Sequence, residues 1–372
     1  MAKPLIQYKR RSKQRSVLRQ LINYLFASVV LVVLALGSYL YWFSITRLSP
    51  QEIIYVVEPG ATLRGFARQL HDQGVLPDAH SLVWLAYIKG QARHLKAGEY
   101  RFRKGITAPQ LLDQVITGRV VEYPLVIIEG WTFKQVMETL EKAPRLTHTL
   151  QGLKPNQIMA SLGYPGMYPE GRFYPDTYYY SAGMSDLIIL QRAFQKMDTR
   201  LQEEWANRDA SVPLKNPDEA LTLASIVEKE TGRADERPMI AGVFSQRLRM
   251  GMRLQTDPTV IYGMGDQFHG NIRLKDLRTR TPYNTYFIKG LPPTPIAMPS
   301  GAAIHAVLNP ANTKALYFVA RGDGGHVFSD NLRDHNQAVE KYQLNGGSAK
   351  KPTPAAKPTV VHRAKPRATS AP

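Results

Sequence analysis

The chain has 372 residues, a formal net charge of +18 and no cysteine. This length allows two or three domains with a sizeable core, and the lack of cysteine excludes disulfides, thiolate metal sites and cysteine nucleophiles. The charge would suit a nucleic-acid binder, but residues 1–20 and 345–372 hold 13 basic side chains and no acid. Setting these 13 aside lowers the net charge from +18 to +5, so we predict no nucleic-acid partner.

The first predicted element is a single membrane-spanning helix at residues 21–45, preceded by a basic cytoplasmic segment at 1–20. No charged residue occurs from Gln20 to Thr46. As a helix, this uncharged stretch is long enough to cross the roughly 30 Å hydrocarbon core of a bilayer. A cleaved signal peptide is the alternative, but its apolar region would be shorter and would end in small residues. This region ends in the aromatic run YLYWF. With the basic N-terminus cytoplasmic, the rest of the chain would lie outside the cytoplasm.

A repeated pattern follows between residues 52 and 145. Three times, a Gly-x-Thr sequence precedes an apolar run at helical spacing, and Thr62, Thr107 and Thr132 are natural helix N-caps. Residues typical of strands come before each one. The recurring unit is therefore predicted to be a strand, a cap and a helix.

The stretch LTLASIVEKETGRADERPMIAGVFSQRLRMGMRLQTDPTVIYGMG predicts two helices and a polar loop. Asn216, Pro217 and Glu219 form a start signal with a capping box, and the apolar spacing that follows predicts one buried face. The second helix is predicted from about Arg237 to Met250, before a Gly. The segment after it, with Asp-Pro, is expected on irregular backbone, although Asp could also cap a further turn.

Three acidic residues in this stretch could act as an acid catalyst: Glu228, Glu230 and Glu236. Residues two apart on a helix point to nearly opposite sides. Glu230 follows Ile226 and Val227, and a carboxyl desolvated by such neighbours has a raised pKa and holds its proton near neutral pH. Solvated helix glutamates, paired with nearby basic residues, are an equally open interpretation.

The remaining polar residues fall in two regions. The aromatic stretch YPGMYPEGRFYPDTYYY carries Glu170 and Asp176, a composition that suits a sugar site or a core. Near the C-terminus, a strand, a Gly-rich turn, a second strand and a helix are predicted, with His326 and His335. Their spacing matches no zinc signature, so we expect structural histidines, no metal and no cofactor.

The motifs ASIVEKET, RLRMGMRLQTDPTVIYGMG, TPYNTY, GLPPTPIAMPS, GGHVFS with DHN, and EGRFYPDTY occur in this order. From Ile54 to about Leu344 the chain resembles the YceG-like family of endolytic murein transglycosylases. The resemblance implies an α+β fold with a LysM-like strand-helix-helix-strand module at 46–120 and a mixed α+β catalytic domain at 121–344. The module either binds glycan or only holds the catalytic domain off the bilayer.

The Pro, Ala and Lys-rich tail at 345–372 is predicted to be disordered.

The family resemblance places the catalytic glutamate at Glu230. The residues expected to bind or orient the sugar are Ser225, Glu228, Gln255, Thr256, Asp257, Tyr262, Asn284, Tyr286, Glu170 and Asp176. The implied reaction cleaves the bond from N-acetylmuramic acid to N-acetylglucosamine within peptidoglycan and leaves a 1,6-anhydromuramoyl end. The implied location is the periplasmic face of the cell inner membrane, and the implied role is in ending the growth of nascent strands.

Two alternatives stay open. One is a membrane-anchored glycan-binding or scaffold protein without catalysis, and the other is a water-using muramidase in which Glu228 or Asp257 activates water. The expected partners are peptidoglycan glycan strands and the lipid bilayer. Contact with peptidoglycan synthases is expected only by analogy.

Overall fold

The computed structural model describes the backbone of residues 5–344 and the side chains of residues 18–344. The predicted disordered tail at 345–372 lies outside the described residues, as do residues 1–4. The described part is a mixed α+β protein with one N-terminal apolar helix, as predicted.

The helices and strands, in chain order, have the following bounds. The helices are Leu5–Ile45 (α1), Leu63–Asp72 (α2), Ala79–Ile88 (α3), Ala108–Thr117 (α4), Phe133–Lys142 (α5), Pro155–Ser161 (α6), Asp186–Ala206 (α7), Pro217–Glu230 (α8), Arg237–Arg249 (α9), Asp257–Met264 (α10), Leu274–Arg278 (α11), Gly301–Leu308 (α12) and Leu332–Val339 (α13). The strands are Ile53–Val57 (β1), Gly98–Phe102 (β2), Glu122–Val126 (β3), Thr177–Ser181 (β4), Tyr317–Ala320 (β5) and His326–Ser329 (β6). A 3-10 turn at Gly265–Gln267 and a π-helical turn at Glu340–Leu344 complete the set.

The chain divides into two compact units. Unit 1 comprises Met1–Leu125, Ala143–His148 and Tyr179–Ser185, and unit 2 comprises Val126–Lys142, Thr149–Tyr178 and Asp186–Pro372. The predicted boundary between the LysM-like module and the catalytic domain, between residues 120 and 121, stays a prediction. The described strands pair as β1 with β2, β3 with β4, and β5 with β6.

Unit 1 is built on the antiparallel pair β1 and β2, in which Tyr55 lies opposite Tyr100. Helices α2, α3 and α4 cover this pair, and the two tyrosines belong to one buried core with Leu70, Leu82 and Leu112. The order strand, helix, helix, strand is the predicted one. Glycan binding by this module stays a prediction.

The three predicted threonine caps are confirmed. Thr62 accepts a hydrogen bond from the Gly65 N–H, and Thr107 directly precedes α4. Thr132 directly precedes α5, and its N–H donates to the Gln135 side chain at 2.9 Å. The Thr62 side chain thereby satisfies an N–H group that would otherwise have no partner at the helix start.

Helix α1 contains the stretch Leu18–Ile45, which is long and apolar enough to cross a membrane. Its last turn joins unit 1, because Phe43 is completely buried in the core of that unit. The N–H of Leu48 then donates to the carbonyl of Ile106 at 2.9 Å. The end of the apolar helix is therefore part of the packed module.

Unit 2 is organised around α8. Asn216 caps the helix by accepting from the Glu219 N–H at 2.9 Å, as predicted, while the Glu219 carboxylate accepts from the Lys215 N–H instead of closing the box on Asn216. Every residue from Ala220 to Val227 is buried. The predicted face is therefore buried, and the other sides of this segment are buried too, because α7, α9 and α12 surround the helix.

Two predictions about the following segment differ in outcome. Helix α9 ends at Arg249 and Gly251 has φ 64°, in agreement with the predicted stop. The predicted polar loop was wrong beyond Thr256, where α10 begins, because Pro258 fits the first turn of a helix. The predicted C-terminal strand, turn, strand and helix are present as β5, β6 and α13.

Candidate active site

Glu230 is the last residue of α8, and Thr231 after it has extended backbone. The helix up to Val227 is enclosed by unit 2, so the carboxyl group emerges where the buried helix ends. The side chain lines a cleft of about 540 Å³ within unit 2. A rigid helix therefore presents a carboxyl group to an accessible cavity.

The environment raises the pKa of Glu230 to about 7, chiefly because burial disfavours the ionised carboxylate. The hydroxyl of Thr256 donates to Oε1 and lowers the pKa, the charge of Asp257 raises it, and the charge of Arg247 lowers it. The opposite effects of these neighbours on the pKa leave the carboxyl group able both to donate and to accept a proton near neutral pH.

The Thr256 hydroxyl is held in place by buried threonines. The Thr256 N–H donates to the Thr285 hydroxyl at 3.0 Å, and the Thr259 hydroxyl donates to the Thr256 carbonyl at 2.8 Å. Thr285 and Thr259 are completely buried. Neither Thr259 nor Thr285 was among the predicted site residues, although the motifs RLRMGMRLQTDPTVIYGMG and TPYNTY contain them.

The adjoining wall of the cleft carries Asp257 and Tyr286, whose hydroxyl donates to the Asp257 carboxylate at 2.7 Å. Burial and the bond to Asp257 raise the pKa of Tyr286, so the phenol stays protonated. Gln255, also in the cleft, has φ 51°, a conformation that non-glycine residues seldom adopt outside functional or turn positions. The predicted residues Glu230, Thr256, Asp257, Gln255 and Tyr286 therefore line one cavity.

A buried cation was missed by sequence reasoning. Arg247 of α9 lines the cleft and donates to the carbonyls of Leu316 at 2.7 Å and Leu254 at 2.6 Å. Its guanidinium lies 5.2 Å from the centre of the Tyr317 ring. Burial lowers its pKa. No local pattern distinguishes this arginine from the neighbouring ones in RLRMGMR.

Two histidines complete the cleft. The ring Nδ1 of His326 is hydrogen-bonded to the Glu236 carboxylate at 2.7 Å, and the backbone N–H of His326 donates to the same carboxylate at 3.0 Å. The proton therefore sits on Nδ1. The His335 ring stacks on Tyr317, and burial lowers its pKa. Both line the cavity that contains Glu230.

Glu228 is not among the residues that line the cleft, and its predicted contact with substrate stays a prediction. Its carboxylate accepts from the Ser300 N–H at 3.0 Å and faces Arg237 at 3.7 Å. The Ser300 hydroxyl, which caps α12, also donates to it. Glu228 therefore joins α8 to the start of α12.

Ser225 and Asn284 are completely buried, and their polar groups have protein partners. The Ser225 hydroxyl donates to the Thr222 carbonyl at 2.7 Å and accepts from the Ile296 N–H at 3.0 Å. The Asn284 amide donates to the Leu277 carbonyl at 3.0 Å. These bonds support the surrounding fold, because buried polar groups require such partners, and substrate contact at the two positions stays a prediction.

Glu170 and Tyr262 line a second pocket of unit 2, of about 950 Å³. The Glu170 carboxylate accepts from the Phe133 N–H at 2.9 Å and from the Tyr262 hydroxyl at 3.0 Å. Burial raises the pKa of Glu170 to about 7. Asp176 lies elsewhere, paired with Lys196, which lowers its pKa.

The fold and this site define a mixed α+β protein in which the Glu230 carboxyl group, with a pKa of about 7, lines an open cleft. Residues 55–341 match the YceG-like family. The chain belongs to that family, as the motifs predicted.

Three relatives illustrate this membership. The endolytic murein transglycosylase of Bacillus subtilis (strain 168) is 28% identical over 309 residues, which cover 77% of this chain and 83% of the relative. The endolytic murein transglycosylase of Streptococcus pneumoniae serotype 2 (strain D39 / NCTC 7466) is 28% identical over 358 residues, covering 84% of this chain and 64% of the relative. A crystal structure of a yceG-like protein from Listeria monocytogenes has a TM-score of 0.52 and 30% identity, and it covers 78% of this chain and 99% of that chain.

Proposed function

We propose that this protein is a membrane-anchored endolytic murein transglycosylase. It would cleave the bond from N-acetylmuramic acid to N-acetylglucosamine within a glycan strand and leave a 1,6-anhydromuramoyl end. The observation that carries the proposal is the Glu230 carboxyl, with a pKa of about 7, in an accessible cleft. The names of the relatives support the substrate and the reaction.

One carboxyl group suffices for this reaction because the substrate supplies its own nucleophile. Protonated Glu230 donates its proton to the glycosidic oxygen as the bond from that oxygen to C1 of the muramoyl sugar breaks. The resulting carboxylate then accepts the proton of the muramoyl 6-hydroxyl, whose oxygen forms the new bond to C1. Glu230 ends protonated, and no water is consumed.

The surroundings suit both steps. Before proton donation, burial keeps Glu230 neutral; after it, the Thr256 hydroxyl and the Arg247 charge stabilise the carboxylate. Arg247 donates to backbone carbonyls, so it holds its place without an acidic partner among the contacts described above. The cycle therefore needs no rearrangement of charged side chains.

Glu230 fits the role better than Glu170, whose pKa is also raised to about 7. Glu170 keeps only 4% of its surface exposed and accepts bonds from Phe133 and Tyr262. These donors hold the start of α5 and would have to be displaced before Glu170 could reach a sugar. Glu230 accepts one hydroxyl bond and faces open volume.

The sugar-orienting residues we propose are those of the Glu230 cleft. Gln255, Asp257, Tyr286 and His326 offer amide, carboxylate, phenol and imidazole groups that can bind sugar hydroxyl and acetamido groups. Glu236 fixes the orientation of the His326 ring. Tyr262 lines the second pocket and would contact a more distant part of the strand, whereas the Glu170 carboxylate stays bonded within the protein.

The proposed location is the inner membrane, with the N-terminus cytoplasmic and unit 2 periplasmic. The apolar stretch Leu18–Ile45 and the basic residues before it support this orientation. A periplasmic cleft would meet nascent strands at the membrane surface, which suits a role in ending their growth. Contact with peptidoglycan synthases is part of this proposal by analogy.

Mass spectrometry of purified peptidoglycan digested by the full chain in detergent tests the proposal. Anhydromuramoyl ends should form with the wild-type protein and fall by at least about a hundredfold with Glu230→Gln, which cannot donate or accept the proton. Glu170→Gln and Glu228→Gln are the matched controls and should retain most of the rate. Loss of activity in a folded Glu170→Gln protein with an active Glu230→Gln protein would reverse the assignment.

The same experiment addresses the two alternatives. Reducing ends instead of anhydro ends would establish a water-using muramidase, for which Asp257 is the base that lies in the cleft. Intact glycan that nevertheless binds the folded protein would favour a scaffold role.

A further inference from the structure

The outer side of α3 exposes large apolar residues. Tyr87 and Ile88 lie three and four residues after Trp84, and the exposed fractions of Trp84, Tyr87 and Ile88 are 60%, 58% and 68%. The opposite side of the helix, with Leu82 and Ala86, is completely buried in the core of unit 1. An outer side this apolar is atypical of a helix that faces water.

Two cations border this side of α3. Arg64 and Arg68 lie four residues apart on α2, and both are exposed. With His80, Trp84 and Tyr87 they line a groove of about 550 Å³. Aromatic and aliphatic side chains flanked by arginines form the composition that binds the surface of an anionic membrane.

The exposed side of α3 belongs to a helix that lies beside the apolar span. Helices α1 and α3 approach within 8 Å between Cα atoms, and Phe43 of α1 is buried in the core that α3 covers. Tyr41 and Trp42, at the same end of α1, are exposed aromatic residues of the kind that mark a membrane boundary. The α3 surface is thus close to the point where the span would leave the bilayer.

We propose that α3 docks unit 1 on the bilayer that α1 enters. Trp84, Tyr87 and Ile88 would lie at the boundary of headgroups and acyl chains, and Arg64 and Arg68 would face anionic phospholipid headgroups. The proposal rests on the proposed membrane anchoring and adds a second contact to it. Two contacts would limit how unit 1 tilts on the membrane.

The lack of cysteine allows a direct test with the full chain in lipid nanodiscs. A single cysteine carrying an environment-sensitive fluorophore is placed at Ile88 (Ile88→Cys), and a matched one at Ile54 (Ile54→Cys), an isoleucine on β1 with 52% of its surface exposed. Lipids that carry a quencher at the shallow acyl positions should quench the label at 88 several-fold more than at 54. Iodide in the water should show the opposite order.

A third label, at Leu31→Cys in the apolar span, separates the two proposals. Lipid quenching at 31 with equal accessibility at 88 and 54 would overturn the docking of α3 and leave the anchor intact. Loss of lipid quenching at 31 would overturn the anchor itself. A label at 88 that neither lipid nor iodide reaches would show a protein contact and also overturn the proposal.

The contribution of the two arginine charges to docking is tested by introducing Arg64→Gln and Arg68→Gln together into the Ile88→Cys protein. In nanodiscs containing phosphatidylglycerol, the double substitution should reduce lipid quenching at 88, whereas in purely zwitterionic nanodiscs it should have no effect. An equal change in lipid quenching at 88 in both kinds of nanodisc would show that anionic headgroups do not contribute to docking.

Discussion

Replacement of Glu230 by glutamine should stabilise the folded protein at alkaline pH while it removes activity. The pKa of Glu230 rises from its usual value of 4.5 to about 7 in the folded state. Below pH 4.5 the carboxyl is protonated in both states, and the contribution to stability is fully present. Between pH 4.5 and about 7 the carboxyl ionises in the unfolded chain but stays protonated in the folded protein, so this contribution is lost as the pH rises to the folded pKa.

The magnitude follows from the size of the pKa change. A change from 4.5 to about 7 corresponds to about 3 kcal/mol at pH 8. Glutamine cannot ionise, so Glu230→Gln should exceed the wild type in free energy of unfolding by about that amount at pH 8 and match it at pH 4. A catalytic group kept neutral by burial would thus reduce stability.

Urea denaturation of the full chain in detergent, followed by tryptophan fluorescence at both pH values, measures this difference. The matched control is Glu228→Gln, two residues earlier on α8. Its carboxylate accepts two bonds from Ser300 and faces Arg237, so the variant should lose about 2 kcal/mol. A Glu230→Gln protein that is less stable than the wild type at pH 8, or whose difference does not depend on pH, would refute the reasoning.

Three further substitutions test the surroundings of Glu230. Thr256→Val removes the hydroxyl bond that lowers the pKa of Glu230, so the alkaline limb of the pH–rate profile for anhydro-end formation should move about one unit upward. Asp257→Asn removes the charge that raises this pKa and should move the limb downward; shifts in the same direction would contradict the assignment. Gln255→Gly relieves the φ of 51° and should add about 1 kcal/mol to the free energy of unfolding in urea. An unchanged cleavage rate in that variant would remove Gln255 from the sugar-orienting residues.

Local elements were largely predictable. The threonine caps, the start of α8 and the end of α9 depend on residues within one turn of each boundary, and the structure has them where the pattern indicated. The start of α10 was not predicted. The Asp257-Pro258 pair disfavours helix at the residue before proline, but it equally suits a first helical turn.

The candidate site was predictable only in part. Gln255, Thr256, Asp257 and Tyr286 line the cleft, but Ser225 and Asn284 from the same motifs are buried supports. A sequence motif does not separate polar residues that face a cavity from those that satisfy buried backbone groups.

The sequence by itself determined the family, the capped helices, the apolar span and the identity of the acid we propose. The tertiary structure decided which residues surround that acid. Arg247 comes from α9 and His326 from β6, and they reach the Glu230 cleft only after distant segments pack together. The pKa of Glu230 depends on that packing, because desolvation and nearby charge act through space and leave no local trace in the chain.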